Sequence, residues 1–304
     1  MSTSLRTFFR DPQTTSSRRA LDARIRRTVG RALHFMRVRT MKRILVAIAL
    51  LAAPSVNLAT PDVSEIIRQS VAANHRNLLA SADFDHCERV INRDGTKTYD
   101  VTMVLGTPYQ RLTEINGQPL SDGEQQREKQ KLDAARAARE RESAEERATR
   151  LGKDDKDRRR NRLLLDQLPE AFTFTLEGEQ KVGRFDAYVL RATPRRDYQP
   201  PTLESQVLTG MEGRFWIERN SFQWIKAEAA VVRPVSIASF LARVDPGTQF
   251  TLEQTPVNPD SDVWMPAHFS MRTRGRVLFL LKQRTQVDAT YYDYRRAERF
   301  ARSQ

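Results

Sequence analysis

The stretch Gly213–Val232, GRFWIERNSFQWIKAEAAVV, constrains the fold more than any other part of this chain. Phe215 and Ile217 share one face of a first strand, and Arg219, Asn220 and Ser221 supply turn chemistry. The second strand resumes with Phe222 and Trp224 and continues through Ile225, Ala227, Ala229 and Val231 in period-two order. This pattern predicts a β-hairpin with an apolar face, and an apolar sheet face must be buried against another layer. Trp216 and Trp224 read as core aromatics of that hairpin.

The same alternation recurs along most of the chain. Phe84 to Ile91 reads as a strand, Arg93-Asp94-Gly95-Thr96 as a turn, and Tyr99, Val101, Met103 and Leu105 as one face of the next strand. Further on, Phe172, Phe174 and Leu176 alternate with threonines, and Tyr188, Leu190 and Ala192 form another apolar face. Phe250 and Leu252, a strand opening at Trp264-Met265-Pro266, and a last strand through Val277, Phe279 and Leu281 to Tyr291, Tyr292 and Tyr294 complete the series. The count is ten or eleven strands with hairpin connections. The expected class is α+β, dominated by a curled antiparallel sheet that forms an unclosed β-barrel.

Two helical stretches accompany the strands. Asp62 caps an amphipathic segment in which Val63, Ile66, Ile67, Val71, Leu78 and Leu79 make one apolar stripe, so a helix over 62–82 is expected on the concave side of the sheet. Asp122 to about Leu164 is strongly charged and rich in helix formers, with acid–base neighbours four residues apart. It predicts an exposed helix ending near Gly152, a charged break over Asp154–Arg160, and a short helix at Leu163–Leu168 stopped by Pro169. This charged insertion, 122–168, is expected inside a hairpin loop.

The formal charge of +13 raises the question of nucleic acid, and its location answers it. Residues 1–59 hold 12 Lys or Arg against 2 acids, which leaves 39 basic and 36 acidic residues in 60–304. The basic character thus belongs to the leader, and no nucleic-acid partner is expected. Within that leader, Lys42 and Arg43 precede an unbroken apolar run, Ile44–Ala53, and Pro54 then breaks it. The layout is that of a signal peptide over 41–59, with a run too short to span a bilayer as a helix. Ala59 suits the last residue before the cut but Asn57, two places earlier, does not; cleavage after Ser55, with Ala53 in that place, is the alternative, and no cysteine follows the apolar run that would mark a lipid anchor. Residues 1–40 read as a non-native upstream extension, with Met41 the true first residue, or as a disordered leader, and 60–304 as one domain. The expected location is the periplasm, without lipid anchoring or a transmembrane span in the mature chain.

Catalytic chemistry finds little support. The histidines are His34, His75, His86 and His268, none at metal-ligand spacing with another, and Cys87 is the single cysteine. His86 and Cys87 are adjacent and so point to opposite faces of a strand. His268 with Asp260 or Asp262 is the best acid–base pairing that the sequence offers. No enzymatic activity, catalytic residue, metal or cofactor is expected.

A helix after a signal peptide, a meander containing Gly213-Arg214-Phe215-Trp216-Ile217, a Trp264-Met265-Pro266 strand and a closing Tyr291-Tyr292-Asp293-Tyr294-Arg295 together resemble the bacterial outer-membrane lipoprotein-sorting family of LolA and LolB type. The resemblance covers 62–121 and 170–297; the charged insertion is not part of the family's core pattern. It implies an unclosed barrel plugged by helices and an apolar cavity that takes acyl chains, with a lipid or lipidated protein as partner. The side chains expected to line that cavity are Ile66, Ile67, Val101, Met103, Phe174, Leu190, Phe215, Ile217, Trp224, Phe250, Phe269, Phe279 and Leu281. The alternative expectation is a non-enzymatic envelope scaffold that contacts a protein partner through 122–160.

Overall fold

The computed structural model describes residues 62–237, 242–277 and 281–298. Residues 1–61, 238–241, 278–280 and 299–304 lie outside the described residues, and with them the expected signal peptide over 41–59 and Phe279 of the expected cavity lining. The chain opens with helix α1, Val63–Ala80, whose first turn is capped by the Asp62 carboxylate accepting from the Ser64 amide at 2.9 Å. A meander follows: β1 Phe84–Asn92, β2 Gly95–Val104, β3 Thr107–Ile115 and the two-residue β4 Gln118–Pro119. Helices α2, Asp122–Glu140, and α3, Ala144–Ala171, come next. The remaining strands are β5 Phe172–Val182, β6 Phe185–Pro194, β7 Met211–Glu218, β8 Trp224–Val231, β9 Val235–Ile237, β10 Ala242–Val244, β11 Gln249–Pro256, β12 Trp264–Val277 and β13 Leu281–Arg296.

All thirteen strands join one antiparallel sheet in the order β4-β3-β2-β1-β13-β12-β11-β8-β7-β6-β5, with β10 and β9 branching from β12. Its ends, β4 and β5, do not pair with each other, so the sheet is open, as the alternation predicts. The three extra strands are short ones, of two or three residues each, that alternation cannot reveal.

The hairpin of β7 and β8 holds the centre of the core, with a correction at its turn. Phe222 is not the start of the second strand; it sits in the turn with φ of 57°, and pairing resumes at Trp224. The buried Glu218 carboxylate organises this turn, accepting from the amides of Asn220 at 3.0 Å and Ser221 at 2.6 Å. A bulge beside Trp216 and Ile217 then leaves Ile225 as the extra residue, so Trp224 and Ala227 both face inward while Ile225 packs outward with Trp216.

The charged segment departs furthest from expectation. It is two helices broken at Arg141–Ser143, and both Gly152 and Pro169 lie inside α3. Ser143 and Glu146 form a capping box that starts α3, a stronger local signal than the helix-breaking tendency of one glycine. The stretch expected to break, Asp154–Arg160, is carried through by four-residue ion pairs of Arg158 with Asp154 and Arg159 with Asp155. Nor does the segment sit within a hairpin: it leads from β4 to β5, the two ends of the sheet.

Candidate functional site: the helix-covered face of the sheet

Residues directly opposite in antiparallel strands share a face, so the register traces rows of side chains across the sheet. One row runs Leu176–Leu190–Phe215–Ala227–Leu252–Phe269–Ala289–Val90, across eight strands from β5 to β1. Beside it runs Phe174–Ala192–Gly213–Ala229–Phe250–Met271–Val287. Gly213 is required where the second row passes β7: a Cβ there would lie 2.9 Å from the Glu228 carbonyl oxygen.

Over the β5–β8 half the rows are covered. Ile66 and Ile67 of α1 pack with Leu190, Phe215, Ile217, Trp224 and Ala227, and Leu164, Leu165 and Leu168 of α3 join them. Polar contacts fix α1 in this position. The Trp224 indole donates to the Ser70 hydroxyl at 3.3 Å, the Asn77 amide donates to Gln223 Oε1 at 2.7 Å, and the Trp264 amide donates to Asn77 Oδ1 at 3.0 Å. His75 and Asp166, 2.7 Å apart, tie α1 to α3.

Toward β11, β12, β13 and β1, Phe250, Leu252, Phe269, Met271, Val287 and Val90 are half-buried, as Phe174 and Leu176 are at the other end, while Ala289 is buried. Of the residues expected to line a cavity, Ile66, Ile67, Leu190, Phe215, Ile217 and Trp224 are buried in one cluster, with Phe174 and Phe250 at its margin. Phe269 continues the first row, whereas Val101 is buried in β2, Met103 is half-buried there, and Leu281 lies at the start of β13. Two depressions, of about 350 and 290 Å³, lie elsewhere and are lined by polar and apolar surface in nearly equal parts. Gln167, Arg195, Asp197 and Tyr198 line the first; Glu177, Arg214 and Trp216 line the second.

A polar row borders the apolar one, and sequence reasoning did not find it. Two positions beyond Val90, Ala289 and Leu252 on the same face stand Glu88, Tyr291 and Gln254. Gln110 Nε2 donates to Glu88 Oε2 at 2.9 Å, and the Tyr291 hydroxyl also hydrogen-bonds Glu88. His86 follows on β1, its ring stacked on Tyr294 at 5.3 Å and tilted against Tyr291 at 5.9 Å. Tyr294 in turn donates to the Pro266 carbonyl at 2.6 Å. Burial pushes the Glu88 carboxyl up and the His86 imidazolium down, and it raises both tyrosines. A bulge at Asp293, φ 54°, lets Tyr291 and Tyr294 share a face although they are three residues apart, and nothing in the local sequence announces it.

The outer face is ionic. Asp100 accepts from Arg111 at 2.8 Å and from Arg295 at 2.6 Å beside the half-buried Cys87, whose thiol burial pushes up. Cys87 and His86 therefore do face opposite ways. The acid–base pairing of His268 with Asp260 or Asp262 is not formed: His268 Nε2 lies 3.1 Å from Asp288 Oδ2 on the neighbouring strand. Among the described residues no cluster of three metal-ligating side chains occurs, and no helix is long and apolar enough to cross a membrane.

No family model matches the sequence, and no curated protein does so. Among solved structures, the chain is similar to an outer-membrane lipoprotein-sorting protein domain from Vibrio parahaemolyticus, at 12% identity and a TM-score of 0.24. That match covers 44% of this chain and 46% of the other, so the chain spans under half of that structure's length. A LolA-superfamily protein from Nitrosomonas europaea is matched at 13% identity over 76% of this chain and 94% of the other, with a TM-score of 0.30. MucB, solved in complex with MucA, is matched at 11% identity over 78% of this chain and 99% of the other, with a TM-score of 0.24. At these scores the likenesses carry no argument about cargo or partners.

Proposed function

We propose that this protein is exported to the periplasm and carries a lipid or other acylated molecule, whose chain lies along the helix-covered face of the sheet. It does so without catalysis. The observation that carries this reading is the first row of side chains: Leu190, Phe215 and Ala227 are buried in the cluster that holds Ile66 and Ile67 of α1, and the row continues through half-buried Leu252 and Phe269 and buried Ala289 to half-buried Val90. An acyl chain laid along it would bury on the order of 300 Å² of apolar surface, contributing roughly 7 kcal/mol before the costs of association, enough for reversible carriage. The apolar run after Met41 supports export, and the sequence's resemblance to lipoprotein-sorting proteins points the same way.

The test is native mass spectrometry of protein purified from membranes without detergent, followed by titration with a fluorescent acyl probe. Protein that arrives with lipid, or binds the probe at micromolar concentration, supports the proposal. Protein that arrives empty and leaves the probe free removes it.

The second reading, a scaffold that meets a protein partner through 122–160, draws support from the exposure of most of α2 and of the first half of α3. A pull-down with the charged faces of α2 and α3 neutralised separates the two, since a carrier keeps its lipid and a scaffold loses its partner.

A further inference from the structure

We infer that the far end of the β12–β13 hairpin is a docking surface for an anionic bilayer, recognised through the phosphate groups of its lipids. The inference concerns the outer face of the sheet and does not depend on the carrier reading, which concerns the other face.

From Val263 to Val287 the sequence holds five Lys or Arg and no Asp or Glu. In β12, Arg272, Arg274 and Arg276 alternate along the strand and so take register positions on one face. Pairing collects the others: Arg284 lies opposite Arg274, Lys282 opposite Arg276, and Arg243 of β10 opposite Arg276 on its other side. The face is the outer one, because Met271 and Val287 of the second apolar row alternate with these positions. Like charges directly opposite in an antiparallel pair repel, and a shared anion relieves them.

The chain supplies little to balance this charge. Arg243 donates to Asp245 at 2.9 Å, whereas Arg272 and Arg274 are exposed and neither is ion-paired among the described residues. The strand is held here by its backbone, the Arg274 carbonyl accepting from the Asp245 amide at 2.9 Å and from the Thr248 hydroxyl at 3.0 Å. The acids of the next row are engaged: Asp288 lies 3.1 Å from His268, and Glu228 takes Lys226 at 2.6 Å. The β1–β2 turn carries one charge of each sign, Arg93 and Asp94.

Position and sequence name the partner. β13 pairs with β1 only as far as Asp288, opposite Ile91, so Leu281–Val287 has a neighbour on one side only and the hairpin end overhangs β1. The last pair there is Val277 with Leu281, and the sequence between them is Leu278, Phe279 and Leu280, whereas the turns after β1, β3 and β5 carry Asp94, Gly117 and Gly183. Basic rows leading to an apolar end match the boundary of an anionic bilayer, with phosphate outside and hydrocarbon within. Nucleic acid offers the phosphate without the hydrocarbon.

The experiment is flotation of the exported protein with vesicles of phosphatidylcholine alone, or with about a third phosphatidylglycerol, in about 0.1 M salt. Wild type should bind the anionic vesicles, and less so as salt rises. Arg272→Gln combined with Arg274→Gln should weaken this binding by about 25-fold, roughly fivefold for each cation removed. The same two positions changed to Lys should keep most of it, since the charge stays. Arg191→Gln, on the same face but bound to Glu177 at 2.6 Å, should change it by less than about twofold. Equal binding to both kinds of vesicle belongs to the acyl-carrying face and overturns the assignment while the carrier reading stands. No binding to the anionic vesicles, or unchanged binding by the Gln pair, also overturns it. So does tighter binding of a single-stranded oligonucleotide through the same two arginines, which makes the partner a nucleic acid. The Gln pair should melt no lower than wild type, because it removes repulsion. If it melts lower, wild type decides alone: binding that persists unchanged to about 1 M salt overturns the assignment, and binding that is lost supports it.

Discussion

Asn77 donates from its side-chain amide to the side-chain oxygen of Gln223 across 2.7 Å, with both residues in the interior. The Asn77 oxygen accepts from the Trp264 amide at 3.0 Å, so one side chain of α1 ties the helix to the β7–β8 turn and to the start of β12. Replacing Asn77 by Ala leaves a buried acceptor and a buried backbone donor unmet. The expected loss is about 2–4 kcal/mol, read from urea denaturation. A loss under about 0.5 kcal/mol would mean that water takes over both contacts and that α1 is held by its apolar face alone.

Gly213 allows β7 and β8 to approach within the second row. A Cβ at that position meets the Glu228 carbonyl oxygen at 2.9 Å, which is backbone and cannot swing away. Gly213→Ala should therefore destabilise by about 1–3 kcal/mol, against the usual gain from replacing glycine in a strand. An unchanged melting temperature contradicts the packing described for this row.

Arg150 secures the α2–α3 pair. It meets Glu142 at 2.7 Å through two nitrogens and donates to the Leu105 carbonyl at 3.1 Å and the Thr107 hydroxyl at 2.8 Å. Leu105 itself has φ of 44°, so the β2–β3 turn holds a conformation that leucine disfavours. Arg150→Ala is expected to raise hydrogen exchange across Ala144–Lys156 and the β2–β3 turn while β6–β8 stay protected. Faster exchange throughout the sheet would instead make the contact a determinant of global stability.

Stability should depend on pH through two carboxyls with opposite signs. Burial alone would raise Asp100, but hydrogen bonds from Arg111 and Arg295 and their charges outweigh it and hold its pKa below the ordinary value. Its contribution is fully present above the unfolded pKa of roughly 4 and is lost as pH falls through the lower folded value. Burial raises Glu88, whose contribution is complete below its unfolded pKa, also roughly 4, and is lost as pH rises through the raised folded value. Asp100→Asn should thus lower the urea midpoint at pH 7 and matter less in strong acid. Glu88→Gln should raise the midpoint at pH 7 and change it little at pH 4. A Glu88→Gln midpoint below that of wild type at pH 7 would contradict the burial described for this carboxyl.

Mass spectrometry of the mature protein checks the reading of the leader. An N-terminus between Val56 and Pro61 is expected, and intact Met1 in the secreted fraction would contradict export.

Much of this architecture can be read from alternation, which is a property of single strands. Phe215 with Ile217, and Leu190 with Ala192, lie on the face that their spacing indicates, and Ile66 and Ile67 of the α1 stripe are buried, although Leu79 at its C-terminal end is exposed. What alternation cannot supply is register and its interruptions. The extra residues at Ile225 and Asp293 each move a side chain to the other face, so Trp224 joins Ala227 and Tyr291 joins Tyr294 only once the pairing is known. The polar row was hidden for the same reason: Glu88, Tyr291 and Gln254 come from three distant stretches and become neighbours of one apolar row only through pairing. In the charged segment, lack of an apolar stripe pointed to a solvated excursion, but the role of that segment is set by what it connects.

The order of the strands also bears on when this domain can assemble. β1 and β13, the first and last strands, pair with each other in the interior of the sheet, while β4 and β5, from the middle of the chain, form its ends. Two meanders, β1–β4 and the remainder, are thus joined by a single seam, from Phe84 with Arg296 to Ile91 with Asp288. A ribosome or a translocation channel that still holds the final strand holds one side of that seam. The N-terminal meander then has only local hairpins to stabilise it, and closing the seam spans nearly the whole domain, the kind of long-range contact that forms slowly. An exported chain built in this way remains threadable until its last strand is released.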